Sequence, residues 1–379
     1  MESTRFRHLL DTPGPFVSVY FADSDDTDDM APPPDLDWRA LREQIERHGG
    51  DESVIAEIEY AVMNLRPPVG RGGRAVVAGP TGVVLNEHLL RPAAEPVVRV
   101  SELPYIVPIL EHGFEHYLLV VVDPKGAFIT THSGATRRSE AVAADSYPAR
   151  QVPAAEPDGY REPKLRAVAD RVTELVHDAS FGAVFVVGDA GSRSDFSAAL
   201  PGWVRERATS LPIGVRRGGY DFEVIQRAID ITLLRRRLNV IDSATERFNA
   251  EVARQSGLIA EGLGAVCSAL RQRSVDTLIL GEIEDATVVV DEGLTTVAPS
   301  ADVLSERGAS PAKTLRADEA LPLMAISVGA SVIRTDERIV PADGIAAVLR
   351  NAPTLRLPVP LHAAAAKVSG SAIVWVSGH

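Results

Sequence analysis

The sequence predicts an α/β protein with more than one domain, and three observations predict it. Runs rich in β-branched and aromatic residues, FVSVYF at 16–21, YLLVVV at 117–122 and AVFVVG at 183–188, have the length of strands. Stretches with apolar residues at helical spacing alternate with them, the pattern of layered α/β folds. At 379 residues the chain exceeds what one core serves, so two or three domains are expected.

The bulk composition narrows the class. Hydrophobic residues are 45% of the chain and charged residues 24%, the proportions of an ordinary globular protein. The single cysteine, Cys267, excludes internal disulfides and a Cys-rich zinc site, and its setting GLGAVCSALRQR has the period of a buried helix face. No signal-peptide core opens the chain and its apolar runs are too short to cross a bilayer, so a cytoplasmic protein without a membrane partner is expected. The formal net charge of −13 repels nucleic acid as a whole, and DNA is not an expected partner. Any RNA contact must come from local patches, and these are arginine patches: the lysines are Lys125, Lys164, Lys313 and Lys367.

The elements follow in order. After Pro13-Gly14-Pro15, FVSVYF reads as a strand, and ADSDDTDDMAPPPD as an exposed acidic loop. WRALREQIERHGG is an amphipathic helix with Trp38, Leu41 and Ile45 on one face, and VIAEIEYAVMNL is a second helix ended before Pro67-Pro68. In GRGGRAVVAGPTG, at 70–82, RAVVA leads through Gly79-Pro80-Thr81-Gly82 into VVLNE, a hairpin, with Gly70, Gly72 and Gly73 placed in the preceding loop. A phosphate-binding Walker loop needs Gly-Lys-Ser/Thr opening a helix; this stretch lacks the lysine and opens a strand.

A second unit begins near 113. YLLVVVD, AFITTH and RRSEAVAAD, joined by turns at 124–126 and 133–134, form an antiparallel meander. The irregular segment SYPARQVPAAEPDGYREPK leads to the helix LRAVADRVTELVHDA, the strand AVFVVG, a helix around FSAALPGWVRERA and a strand IGVRR. Hairpins followed by helix–strand–helix–strand resemble the ribonuclease-H-like arrangement. Beyond Gly218-Gly219 come a long helix from about Asp221, a helix LIAEGLGAVCSALRQR, strands VDTLILGE and ATVVV, a helix ADEALPLMAISVGA, a strand SVIRTD and a short helix DGIAAVLR. The apolar tail TLRLPVPLHAAAAKVSGSAIVWVSGH reads as an edge strand or a surface for a partner.

Three features in this order carry a resemblance: the meander-plus-helix unit after YLLVVVD, the step GLGAVCSALRQRSVDTLILGE, and RADEALPLMAISVGASVIR. The chain resembles the bacterial branch of the archaeo-eukaryotic release factor and Pelota superfamily, and within it the Balon-type ribosome hibernation factors. The resemblance implies three domains: 1–112 facing the decoding centre, 113–220 with a ribonuclease-H-like fold reaching toward the large subunit, and 221–379 facing a translational GTPase. It implies a factor, made for dormancy and stress, that occupies the A site of vacant or stalled 70S ribosomes, with ribosomal RNA and GDP-bound elongation factor Tu as partners. No cofactor or metal is implied.

In true release factors the catalytic Gly-Gly-Gln lies between the third middle-domain strand and the first long helix. Here that segment, SYPARQVPAAEPDGYREPKLR, holds no Gly-Gly-Gln, while GRGGR lies in the N-terminal domain and ends in arginine. No catalytic residue and no enzymatic activity are therefore expected. The alternative is a peptidyl-tRNA hydrolase or rescue factor working through this same loop.

Candidates for ribosomal RNA contact are Arg71 and Arg74, then Arg137, Arg138, Arg216 and Arg217 at strands or turns. In the loop, Arg150, Arg161 and Lys164 accompany Tyr160, whose ring stacked on a base is worth about 1–3 kcal/mol; a solvated linker with prolines at 148, 153, 157 and 163 is the plainer alternative. Three further patterns point to chemistry without supporting it. HGFEH at 112–116 has the spacing of a zinc-protease motif, but Gly113 breaks the helix such a motif needs. Asp123, Asp189 and Asp195 suggest a two-metal nuclease, but Asp123 before Pro124-Lys125-Gly126 reads as a turn residue and Asp195 as one that helps begin a helix. Arg235-Arg236-Arg237 on one helix point in different directions.

Overall fold

Phe16 and Tyr20 face one side of a strand while Val17, Val19 and Phe21 face the other, and this period of two organises the N-terminal part. A computed structural model of the chain describes residues 3–24, 34–64, 71–89, 95–112, 116–134, 136–143, 165–179, 181–213, 221–306, 308–335 and 338–351. After a 3-10 segment, Ser3–Leu10, come β1 (Phe16–Ser24), α1 (Pro34–Arg47), α2 (Glu52–Asn64), β2 (Arg71–Gly79), β3 (Gly82–Leu89), β4 (Val97–Ser101) and α3 (Val107–His112). The strands form an antiparallel sheet in the order β3-β2-β1-β4. Trp38, Leu41 and Ile45 of α1, with Val54, Ile55 and Ile58 of α2, cover the face that carries Val17, Val19 and Phe21. Each such side chain contributes roughly 1.5–3 kcal/mol by leaving water. Gly72 and Gly73 are not loop residues: they lie in β2, paired with Asp23 and Ala22, because the ladder with β1 continues past the apolar run.

The middle part contains β5 (Tyr117–Asp123), β6 (Gly126–Ser133), β7 (Thr136–Ala143), α4 (Arg166–Ala179), β8 (Ala183–Gly188), α5 (Ala190–Ala199), α6 (Gly202–Arg205) and β9 (Ala208–Ser210). Its sheet has the order β7-β6-β5-β8-β9, with an antiparallel β5–β6–β7 meander and β8 and β9 parallel to β5, the ribonuclease-H-like arrangement. All six residues of β8 are buried, as befits a parallel strand covered on both faces. The last strand is shorter and earlier than IGVRR suggests: it ends at Ser210, and 214–217 lie outside the described residues.

The C-terminal part begins on α7 (Phe222–Arg254), followed by β10 (Ile259–Glu261), α8 (Leu263–Arg271), β11 (Val275–Leu280), β12 (Thr287–Val290), β13 (Val297–Ala298), α9 (Ala301–Glu306), β14 (Lys313–Arg316), α10 (Ala317–Ser327), β15 (Ser331–Arg334) and β16 (Ile345–Leu349). One sheet runs β10-β16-β11-β15 and a smaller one β13-β12-β14. Two expectations are corrected. Gly262, at φ +84, splits LIAEGLGAVCSALRQR into a strand and a helix. IAAVL, expected to be helical, is the strand β16: a short, wholly apolar run has no period to separate the two. It pairs with both β10 and β11, and the preceding Gly344, at φ +68, leaves no room for a Cβ beside the Glu282 carbonyl.

Two contacts between the parts matter for function. The second face of the N-terminal sheet shares one apolar cluster with the C-terminal part, joining Phe16, Tyr20, Leu103, Ile106 and Ile109 to Leu270, Leu278, Leu321 and Met324. At the other join, Ile225, Ile229 and Leu233 of α7 pack on Tyr117, Leu119, Phe185 and Val187, while its Phe248 packs on Ile279, Ala346 and Val348. Packing around the middle sheet therefore extends past 220, into the first half of α7.

Candidate nucleic-acid interface

The cationic candidates separate by the geometry of the strands that hold them. On β7, Arg137 and Arg138 are both exposed. Arg138 pairs across with Thr131 and Arg137 with His132, so these neighbours in sequence project from opposite faces of the sheet and do not form one patch. Further along β6, opposite Ala141, Phe128 is an exposed aromatic, 43% accessible. On the face of Arg138, Glu140 already accepts from Arg171 Nε at 2.8 Å.

Arg74 is no RNA contact. It is 1% exposed and donates from Nη2 to the Ala61 carbonyl at 2.6 Å, from Nη1 to the Val62 carbonyl at 3.3 Å and from Nε to Asn86 Oδ1 at 3.0 Å. A cation there satisfies carbonyls at the end of α2, where the helix dipole favours positive charge. Counting back by twos from Ala78 and Val76, both packed under α1 and α2, places Arg74 on that same inner face. Arg71 lies in β2, paired with Ser24. Arg150, Tyr160, Arg161, Lys164, Arg216 and Arg217 lie outside the described residues.

The other patterns resolve into structure. Asp123 accepts from the Lys125 amide at 2.7 Å, as a turn residue does. Asp189 caps α5, taking the Ser192 amide at 3.0 Å on Oδ1 and the Ser192 hydroxyl at 2.6 Å on Oδ2, so both oxygens are committed. Among the described residues, no group of three or more His, Cys, Asp or Glu is arranged to hold a metal. Of the three consecutive arginines, Arg236 donates to Thr209 Oγ1 at 2.8 Å, Arg237 donates to the Leu110 carbonyl at 2.6 Å, and Arg235 is exposed. Burial pushes the Cys267 thiol up to about 12, which leaves it inert. No described helix is long and apolar enough to cross a membrane.

Sequence reasoning missed a polar joint between the N-terminal and middle parts. Glu87, on β3, is 2.5 Å from Arg5 Nη2 and 3.5 Å from His116 Nε2. Burial raises its carboxyl, and His116 and Arg5 more than reverse this, leaving it below the usual carboxylate range. Next to it, burial and then Arg74 lower His88 to about 4; burial, Arg137 and His88 lower His132 to about 3. His132 stacks on Tyr117 with centroids 4.3 Å apart. Gly134, at φ +57 in the β6–β7 turn, abuts β3 so closely that a Cβ would sit 2.5 Å from the Asn86 carbonyl. Nothing in the local sequence announces this joint, because its members come from four separate segments.

Comparison with known proteins supplies the relatives. The family model for bacterial archaeo-eukaryotic release factor family 2 matches residues 116–254, which span the middle sheet and all of α7. Two curated Mycobacterium tuberculosis proteins, uncharacterized protein Rv2629 of strain H37Rv and uncharacterized protein MT2704 of strain CDC 1551, are each 41% identical over 369 residues, covering 94% of this chain and 99% of the relative. Among solved structures, archaeal Pelota from a ribosome-bound model with ABCE1 is 15% identical, covering 92% of this chain and 93% of that one, with a TM-score of 0.40. Saccharomyces cerevisiae Dom34 is 9% identical, covering 75% and 81%, with a TM-score of 0.38. With its family match centred on the ribonuclease-H-like part, the chain belongs to the bacterial branch of the archaeo-eukaryotic release factor superfamily.

Proposed function

We propose that this chain is a ribosome hibernation factor: it occupies the A site of vacant or stalled 70S ribosomes and blocks entry of aminoacyl-tRNA without hydrolysing peptidyl-tRNA. One observation carries the reading. A chain of release-factor type holds no Gly-Gly-Gln in the segment 146–166, where the resemblance assigns the chemistry, and its only similar stretch, GRGGR, ends in arginine. Without the glutamine that positions water and the glycines that allow close approach to the ester, hydrolysis has no machinery there. What remains is binding.

Binding of this kind needs modest phosphate contacts spread over a large surface. Arg137 and Arg138, on opposite faces of β7, supply two of them. A net charge of −13 disfavours loose attachment to free RNA and leaves docking dependent on shape. GDP-bound elongation factor Tu is the proposed partner of the C-terminal part.

The test is sedimentation of the purified chain with vacant 70S ribosomes across salt concentrations, with and without elongation factor Tu and GDP. Co-sedimentation that weakens with salt, together with no release of labelled peptide from stalled complexes, is expected. Peptide release lost on substituting Tyr160 or Lys164 would replace this reading with the rescue-hydrolase alternative. Failure to bind under any condition would remove the ribosome from the function.

A further inference from the structure

A cavity of about 470 Å³ lies between the chain from Leu9 to Gly14 on one side and the end of α8, the β12–β13 connection and α10 on the other. Its floor, formed by Leu103, Leu270, Leu323 and Met324, belongs to the apolar cluster that joins the N- and C-terminal parts. The walls carry that character outward: Leu294 and Val328 are only partly buried, and Leu10 is 39% exposed. An open apolar hollow continuous with a core is a surface suited to an apolar occupant.

The chain itself leaves β16 at the rim of this cavity. Arg350 fixes the exit: its amide donates to the Ser274 carbonyl at 2.7 Å, Nη1 to the Arg273 carbonyl at 3.2 Å and Nη2 to the Gly329 carbonyl at 2.8 Å. Arg273 lines the cavity, and so does Val328, whose carbonyl accepts from Arg350 Nη1 at 3.3 Å.

Residues 352–379 follow, outside the described residues. They include no Asp or Glu, and their charged side chains are Arg356 and Lys367. On a chain of net charge −13, that is the composition of a segment that packs against apolar surface. Within it Leu355, Leu357, Val359 and Leu361 alternate with Arg356, Pro358 and Pro360. A period of two gives an extended segment one apolar face, and the prolines favour extended backbone while lacking the donors a central strand needs. The four residues from Asn351 to Leu355 span at most about 14 Å. The alternating run therefore begins close to the cavity residues that Arg350 already touches.

We propose that residues 355–361 lie extended in this cavity, with Leu355, Leu357, Val359 and Leu361 against its leucine and methionine floor, and clasp the N-terminal segment to α10. A segment tethered this closely competes at an effective concentration of about millimolar, which favours it over a free partner or the same segment of a second copy. This site is separate from the ribosome reading and is tested without ribosomes.

Two measurements on the full-length chain test it. In the first, a photo-crosslinking benzophenone side chain is placed at Leu357 in an equal mixture of isotope-labelled and unlabelled copies. Crosslinks are expected within one copy, to peptides containing Leu10, Leu294 or Met324. In the second, a synthetic peptide of residues 353–362 is titrated by calorimetry into the native chain and into a Leu357→Asp/Val359→Asp variant, whose own segment no longer fits an apolar floor. The peptide is expected to bind the variant at least tenfold more tightly than the native chain, where the site is filled. Crosslinks between labelled and unlabelled copies would assign the cavity to a second molecule and overturn the proposal. Crosslinks to none of these peptides overturn it too, as does peptide binding that is equal in the two chains or absent from both.

Discussion

The N-terminal part is joined to its two neighbours by opposite chemistries. Toward the C-terminal part it shares an apolar cluster, reinforced at the edge by Arg99, which donates to Asp318 Oδ2 at 2.9 Å and lies 3.6 Å over the Tyr105 ring. Toward the middle part it offers Glu87 and His88, and the middle part's Gly134 closely approaches the Asn86 carbonyl. Apolar burial is non-directional and indifferent to pH; a polar joint depends on protonation and on each partner being in place. The N- and C-terminal parts should therefore melt as one body, with the middle part and the first half of α7 that packs on it the separable unit.

The most damaging way to probe that difference is a hole in the apolar joint. Ile106→Ala, at a fully buried position, should cost about 2–5 kcal/mol in urea denaturation, with the N- and C-terminal signals lost together. Separate transitions for those two parts would break the comparison. Gly134→Val should cost about 1–3 kcal/mol at the polar joint. Amide exchange should quicken in β3 and β6 and stay slow in α10; uniform acceleration would show that the two joints are not independent.

Acid sharpens the contrast further. Folded His88 and His132 titrate near 4 and 3, below the ordinary value of about 6.5, so between those values the unfolded chain binds more protons than the folded one. Stability is full above about 6.5 and falls as pH drops toward 4, by up to about 1.4 kcal/mol per pH unit for each histidine. Denaturation at pH 7, 6, 5 and 4 should show this slope, and a His88→Gln/His132→Gln double variant should flatten it. Smallest in stability is Arg137→Ala with Arg138→Ala: within about 0.5 kcal/mol, since both side chains are exposed. The same pair should lower the salt slope of ribosome association by about one per arginine lost. An unchanged slope would remove β7 from the RNA-contacting surface.

Where periodicity was strong, the fold was legible. Trp38, Leu41 and Ile45 face inward as their spacing requires, and the meander at 117–143 follows its turns. Legibility failed where a run was short and uniformly apolar, as at IAAVL, which only its pairing with two strands makes a strand. It failed again where a charged residue sat inside. Arg74 looked like a surface cation because its neighbours were glycines, although its place in the strand pointed it under α2. The joints were not legible at all: Arg5, Glu87 and His116 meet only through tertiary packing. For the interface, sequence named the exposed pair on β7 but not that the strand separates them.

The 33 residues of α7 run without a break from the middle sheet to the C-terminal sheet, a span of about 50 Å. Such a helix acts as a measuring rod and an axle at once. Its residue count sets both the spacing of the two cores and the angle between the faces that grip them. Inserting one residue between Leu233 and Phe248 lengthens the rod by only about 1.5 Å but rotates everything beyond it by about 100°. Within that stretch the molecule can accept many changes of letter, but no change of number.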